Sequence, residues 1–460
     1  MTRTIKNTFT PVNRLPPEIL SNVLENRTGD RDLIAATHVC RHWRSILTSN
    51  PSLWTCFRFT SAPDVDRTLT YLERSKLAPI HIKVDMGPLR GPEVFKYLAP
   101  HIARAKSLII RGLDHADVHA ACLLLHTPSP TLQYLEVCSH RGLVRFPEDF
   151  LGQRAPSLRS VSFDGIHPSF ESHPPLPNLI ELNLFLPERV GPFRVDALFG
   201  FLSNCPRLRK ILINSKGTLR DIALDKIISL ESLVELDYRC DPIGRILPCL
   251  RLPRLERLQV SSSLGPGQAP RLTDVLPHGG RTLLAGATEV LYYSYESSQE
   301  VILRGKGTNV SFTMFRPTEN HTLVDWFPNE TSIPFGQIED LTVGLSVPID
   351  FPVDVAIFRN LRIIRLVPWN VQSMKGFLRF LYPDLEAEIP CPSLQEIRYH
   401  CWGRPELLID LVKERKRAGH QLALVWVLIE TWGELDWQDL EEELGGYVGE
   451  VRIGKWDGMT

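Results

Sequence analysis

The chain has 460 residues, 43% of them hydrophobic, which suits two or three folded domains or one array of repeats and excludes a disordered chain. Lys plus Arg (52) nearly cancel Asp plus Glu (53) to a net charge of −1, so no basic footprint for a nucleic acid stands out. Nine cysteines without a Cys-x-x-Cys predict reduced thiols in an intracellular protein, cytoplasmic and/or nuclear, and no apolar run is long enough for a membrane span. The polar first ten residues read as no signal peptide.

The first predicted elements lie between Val12 and Phe57. Pro16 and Pro17 suit a helix start, where the missing N–H is not needed. Ile19, Leu20, Val23 and Leu24 then form one apolar stripe. Gly29-Asp30 predicts a break and an N-cap. Ala36, Val39/Cys40, Trp43 and Ile46/Leu47 recur at helical spacing as a single run, which Asn50-Pro51 stops before a last short turn at Leu53-Trp54. The segment thus holds two or three small helices with more large apolar groups than it can hide, and such a patch usually marks an interface.

Three blocks in this segment, Leu15-Pro16-Pro17-Glu18-Ile19-Leu20, Val39-Cys40-Arg41-His42-Trp43-Arg44 and Ser52-Leu53-Trp54, resemble the F-box in type, order and spacing. The resemblance assigns residues 10–60 to an F-box and implies docking on the adaptor subunit of an SCF-type ubiquitin ligase. Cullin and RING subunits would follow through that adaptor. Carried over by position, Leu15, Pro16, Ile19, Leu20, Val39, Cys40 and Trp43 would form or support the contact. The bland alternative is a helical cap over a larger domain.

Residues 61–100 are expected as a linker with a first weak repeat around Ile82-x-Val84. Over 101–430 the pattern apolar-x-x-apolar-x-apolar returns, as in Leu132-x-x-Leu135-x-Val137, Leu182-x-Leu184 and Ile364-x-Leu366. From Ile82 to Leu258 the middle apolar positions are spaced by 21 to 29 residues. Each copy predicts a short strand with one buried face, followed by ten or more residues at helical spacing, as at Val195–Leu202 and Ala116–Leu125. That alternation resembles an irregular leucine-rich-repeat solenoid, with parallel strands on the concave face and helices or loops on the convex one. The fold class expected is therefore α/β, a small all-helical F-box followed by divergent repeats of the kind found in fungal-type F-box proteins. The family's turn asparagine is absent, since its positions read His140, Ile166, Pro187, Lys216, Asp241 and Ser263. Residues 261–282 and 297–334 read as loop-rich insertions, apart from a possible strand at Val310–Phe315. Residues 431–460 read as a C-terminal cap, and Leu407–Arg417 as an amphipathic helix.

Sites of bond chemistry are sought in vain. His115 and His119 stand four apart on a predicted helix, as do His38 and His42, but neither pair has an evident third ligand. Arg304-Gly-Lys-Gly-Thr308 lacks the P-loop order, and there is no nucleophile elbow. No cofactor, no metal and no enzymatic activity are expected, and neither a nucleic acid nor a membrane as partner. The tryptophans Trp402, Trp426, Trp432, Trp437 and Trp456 read as core or end-cap packing. The expected function is a substrate-recognition subunit of an SCF-type ligase holding an unknown protein substrate. The alternative is a repeat scaffold that binds the adaptor, or not even that, outside any ligase. Residues flanking the middle apolar position of each strand point away from the core and become substrate-binding candidates: Tyr134, Glu136, Glu235, Asp237, Arg239, Arg257, Tyr292, Arg365 and Arg398. Their alternating charge defines no substrate class.

Overall fold

The computed structural model describes residues 10–25, 30–60, 63–87, 93–139, 144–146, 155–168, 170, 176–186, 195–218, 227–241, 246–263, 276–295, 297–306, 308–315, 335–346, 357–368, 377–378, 381–383, 389–401, 405–429 and 437–455. They fall into two compact units, Met1–Arg220 and Asp221–Thr460. The chain is of mixed α/β class, a helical N-terminal segment followed by parallel-rich sheet.

The first unit opens with a 3-10 turn at Pro11–Arg14 and helices α1 (Pro17–Glu25), α2 (Asp30–Thr37) and α3 (Arg41–Ser49). The single run expected from Ala36 to Leu47 is broken at Cys40. Its backbone is extended (φ −159°, ψ 171°), and its Sγ accepts the Trp43 N–H at 3.5 Å, capping α3. The end of α2 is closed by Thr37, whose hydroxyl donates to the Ile34 carbonyl at 2.7 Å while its own carbonyl accepts Arg44 Nε at 2.9 Å.

A second 3-10 turn, Pro51–Trp54, leads directly into β1 (Cys56–Phe59). Trp54 is fully buried. Its Nε1 donates to the Leu47 carbonyl at 2.7 Å, its ring meets Tyr71 edge-on at 4.7 Å, and Arg74 lies over it at 4.4 Å. One side chain thus ties α3 to the helix that follows β1.

That helix is α4 (Pro63–Arg74). Next come β2 (Ile80–Asp85), α5 (Glu93–Leu98), β3 (Ala105–Arg111), α6 (Val118–His126), β4 (Tyr134–Cys138), β5 (Ser160–Asp164), β6 (Glu181–Leu186), α7 (Val195–Ser203) and β7 (Lys210–Thr218). Residues 61–100, expected as a linker with a first weak repeat around Ile82-x-Val84, carry a strand there, β2, together with α4 and α5, and the sheet starts one strand earlier than expected, at Cys56. Each strand from β1 to β7 pairs in parallel with the next in chain order. The register aligns the middle apolar positions into one buried row: Phe57, Ile82, Leu108, Leu135, Val161, Leu182 and Ile211. Burying such a row is the main favourable term in holding the strands together.

The missing turn asparagine finds its physical answer here. Just after β2, β3, β4 and β5 a backbone N–H donates to a carbonyl of the following strand: Met86 to Arg111 (2.7 Å), Leu113 to Cys138 (3.0 Å), Ser139 to Asp164 (2.7 Å) and Gly165 to Phe185 (2.9 Å). The donors that an asparagine side chain would serve are satisfied by backbone instead. Gly165 turns with φ +66°, and a Cβ there would lie 2.7 Å from the Ser139 carbonyl oxygen.

The way into the strands is regular as well. The N–H of Leu132, Leu158, Leu179, Leu208, Leu255 and Leu394 each donates to the carbonyl three residues back, at 3.0 to 3.3 Å. In all six cases a proline follows that carbonyl residue (Pro130, Pro156, Pro177, Pro206, Pro253, Pro392), the second turn position where its fixed φ fits. These six prolines are therefore part of the repeat.

The second unit contains β8 (Glu235–Asp241), β9 (Arg257–Ser263), β10 (Ala287–Ser294), β11 (Ser298–Gly305), β12 (Thr308–Phe315), β13 (Asp340–Leu345), β14 (Ile363–Pro368), β15 (Glu396–Cys401), α8 (Glu406–Arg417), β16 (Leu424–Ile429), α9 (Trp437–Gly445) and β17 (Glu450–Lys455). Its spatial order is β8-β9-β12-β11-β10-β13-β14-β15-β16-β17. All neighbours are parallel except β11, which is antiparallel to both β10 and β12. Within the insertion 297–334 the possible strand at Val310–Phe315 is present as part of β12, and β11 is a further strand where loop was expected. The stretches 264–275 and 316–334 lie outside the described residues. The buried row survives the reversal, running Leu236, Leu258, Val310, Leu303, Val290, Leu341, Ile364, Ile397 and Val425, with the half-buried Val451 at its end.

Candidate functional site

Two surfaces stand out, and the first is the helical segment. Leu20 is only 1% exposed, held inside the module, so the residue assigned to the contact supports it from within. Ile19 (46% exposed), Val23 (47%) and Val39 (59%) point outward, and Pro16 is also exposed. Ile19 and Val23 stand four apart in α1 and share one face. Four of the ten exposed large apolar side chains among the described residues lie between Val12 and Val39. Apolar groups concentrated outside in this way mark a contact surface. Leu15, Cys40 and Trp43 are half-buried. The Trp43 Nε1 donates to Asn13 Oδ1 at 2.6 Å, which ties the opening 3-10 turn to α3. Asn13, Val12 and Val23 were not among the expected site residues, although Val23 lies on the stripe that the sequence showed.

The second surface is the outward face of each sheet, where most of the substrate candidates lie. They are engaged with one another. Arg111 Nε donates to Glu136 at 2.7 Å, and the Tyr134 hydroxyl donates to the other Glu136 oxygen at 2.7 Å. Burial alone would raise the Glu136 carboxyl, but the hydrogen bonds from Arg111 and Tyr134, with the charge of Arg111, outweigh it and hold the group below its ordinary value. Burial, with the same bond to Glu136, pushes Tyr134 up to about 12. In the second unit Arg239 pairs with Asp237 (2.6 Å), Arg257 with Glu235 (3.0 Å), Arg398 with Glu396 (2.6 Å) and Arg452 with Glu450 (2.7 Å).

Tyr292 requires a correction. It is fully buried, opposite Val343, and the outward residues of β10 are Glu289, Leu291 and Tyr293. The expected phase of β10 was one residue off. Trp426 also departs from the packing expected of it, being half-buried on the outer face with the Arg398 guanidinium 5.2 Å above its ring. Trp402, Trp432 and Trp456 lie outside the described residues.

A groove of about 510 Å3 opens on the second unit over the starts of β10, β13, β14 and β15. Glu289, Glu339, Asp340, Arg362, Arg365 and Glu396 line it. Arg365 reaches Asp340 at 2.6 Å and Glu289 at 3.5 Å. Burial, with the nearby Glu289, keeps the Asp340 carboxyl above its usual value even so. Of these six residues the sequence pointed only to Arg365.

His115 sits in the turn before α6, which begins at Val118, and His38 sits past the end of α2 while His42 is in α3. Neither pair shares a helix face. Among the described residues no three His, Cys, Asp or Glu side chains gather into a metal-holding group, and no helix is long and apolar enough to cross a membrane.

A family model described as F-box-like matches residues 12–60, the segment bearing the exposed apolar groups and Trp54. No curated protein matches the chain. The F-box-like domain is therefore shown for about one tenth of the sequence.

Proposed function

We propose that the protein is the substrate-recognition subunit of an SCF-type cullin–RING ubiquitin ligase. The F-box-like domain docks to the adaptor subunit and, through it, to the cullin and RING subunits. The two parallel-rich sheets are divergent leucine-rich-repeat arrays whose outward faces receive a protein substrate. The chain carries out no bond chemistry itself. It holds a target beside a ubiquitin-loaded enzyme, so that a bimolecular transfer becomes effectively local. It acts where that machinery works, in the cytoplasm and/or nucleus.

The observation carrying this reading is the exposure of Ile19, Val23 and Val39 inside the F-box-like match. The test is capture of the purified adaptor by full-length protein and by an Ile19→Asp/Val39→Asp variant. Loss of capture in a variant that keeps its far-UV circular dichroism supports docking; unchanged capture sinks it. Ubiquitination of a co-captured protein only when cullin and RING subunits are added then separates a ligase receptor from a scaffold.

A further inference from the structure

Along the outer sheet faces, the arginines and lysines named so far are paired with carboxylates, on their own strand or the next. The first three strands are different. Arg58 on β1, Lys83 on β2 and Lys106 on β3 lie at the outer face of the first unit, and Arg58 and Lys83 are register neighbours. None of the three side chains makes an ion pair or hydrogen bond with a described residue, although Lys83 lies close enough to Glu136 to help lower its carboxyl. His81 stands beside them on β2, opposite Cys56. Partial desolvation, with a smaller contribution from the charge of Lys106, holds its imidazole below its ordinary value. Arg58, His81 and Lys106 are exposed, and Ile109 lies half-buried in the same row as Arg58 and Lys83.

We propose that the outer face of β1–β3 docks an extended, Asp- and Glu-rich segment of a protein substrate. The charges are complementary, and the unpaired cations lose no existing partner when the segment binds. The dimensions agree. Adjacent strands lie about 4.8 Å apart, so three of them spread the cations over about 10 Å, which two or three alternate side chains of an extended chain can span at about 6.6 Å per pair of residues. A duplex is a poor fit. Nucleic-acid binders of useful affinity neutralise about six to ten phosphates, whereas this patch is short and bordered by Asp85 and Glu136. Ile109 adds an apolar contact at its centre. The proposal rests on the reading of the sheet faces as the substrate side.

The test uses the full chain and a fluorescent peptide alternating Glu and Ser, with a Lys/Ser peptide and a thymidine oligonucleotide as comparators, followed by anisotropy at low salt. The Glu/Ser peptide should bind at least about tenfold more tightly than the Lys/Ser peptide, and raised salt should weaken it. Arg58→Gln/Lys83→Gln should cost about tenfold, while Lys96→Gln/Arg417→Gln, on helices and with the same change in net charge, should leave binding within about twofold. Lys106→Gln serves as a second, singly substituted probe should the double variant fail to fold. Equal loss in both double variants, equal binding of the two peptides, or tighter binding of the oligonucleotide would overturn the proposal. Adaptor capture by Arg58→Gln/Lys83→Gln should be unchanged; its loss would assign the patch to the adaptor instead. Failure of wild-type protein to capture adaptor, with the peptide preference intact, would remove the ligase reading alone.

Discussion

The helical segment before Trp54 and the sheets that follow solve opposite surface problems. The sheets turn most of the middle apolar residues inward, as with Leu135 and Leu341, and most of their outer charges neutralise one another, as Arg398 does with Glu396. The helical segment buries Leu20 and Leu47 but leaves Ile19, Val23 and Val39 in water. Burying an aliphatic side chain is worth roughly 1.5–3 kcal/mol, so that exposure is a standing cost which a partner can recover. Surface ion pairs are worth about 0–1 kcal/mol each, so the neutralised faces offer a partner little beyond shape.

The hardest test of that division is Trp54→Ala, at the junction. It removes a fully buried ring with its hydrogen bond and its contact to Tyr71, and should cost about 3–5 kcal/mol in urea unfolding. Both the helical segment and β1 should lose hydrogen-exchange protection together; loss confined to one side would make the junction a simple hinge. Ile19→Asp should leave unfolding within about 0.5 kcal/mol yet weaken adaptor binding by about 2 kcal/mol or more, roughly thirtyfold, in calorimetry. Leu20→Ala should do the reverse, destabilising by about 2–5 kcal/mol. Gly165→Ala should cost about 2 kcal/mol through its positive φ and the close Ser139 carbonyl. At Gly279 the φ is +77° but no atom lies within 4 Å, so the same change should cost about 1 kcal/mol. The smallest effect concerns Glu136. Its folded-state carboxyl is depressed, so its contribution is present above the unfolded value and disappears as pH falls through the folded one. Stability should decline below roughly pH 4.5 with a slope that Arg111→Met reduces; an identical slope in the variant would leave the Arg111–Glu136 pair without energetic weight.

Much of this architecture is visible in the residues. The three blocks of the F-box-like segment declare themselves, because proline, leucine and tryptophan stand at fixed spacing. The repeat also gives the register correctly through the first unit, since the middle apolar position of each copy lies beside that of the next. What remained hidden has identifiable causes. In Val290-Leu291-Tyr292-Tyr293 every residue is apolar or aromatic, so the period of two has no phase until Val343 and Val301 pair with Tyr292. Strand β11 turns Gln299 inward, only 3% exposed, and that one polar residue masks the alternation of Val301 and Leu303. The break before α3 relies on a cysteine cap, a residue outside the usual set of Ser, Thr, Asp and Asn. The proline that precedes the first leucine in six of the copies was legible and belonged to a longer pattern than the one sought. At the site, chain position pointed to the right segment, but only packing separates Leu20 from Ile19.

The reversed order β9-β12-β11-β10-β13 has a consequence for how the protein is made. The neighbour of β9 is β12, which begins about 45 residues after Ser263. During synthesis at about 5–20 residues per second, the open side of β9 waits several seconds for its partner. In the first unit each new strand finds its partner already in place. Nascent chains halted between Ser263 and Thr308 should thus be the ones most in need of a chaperone.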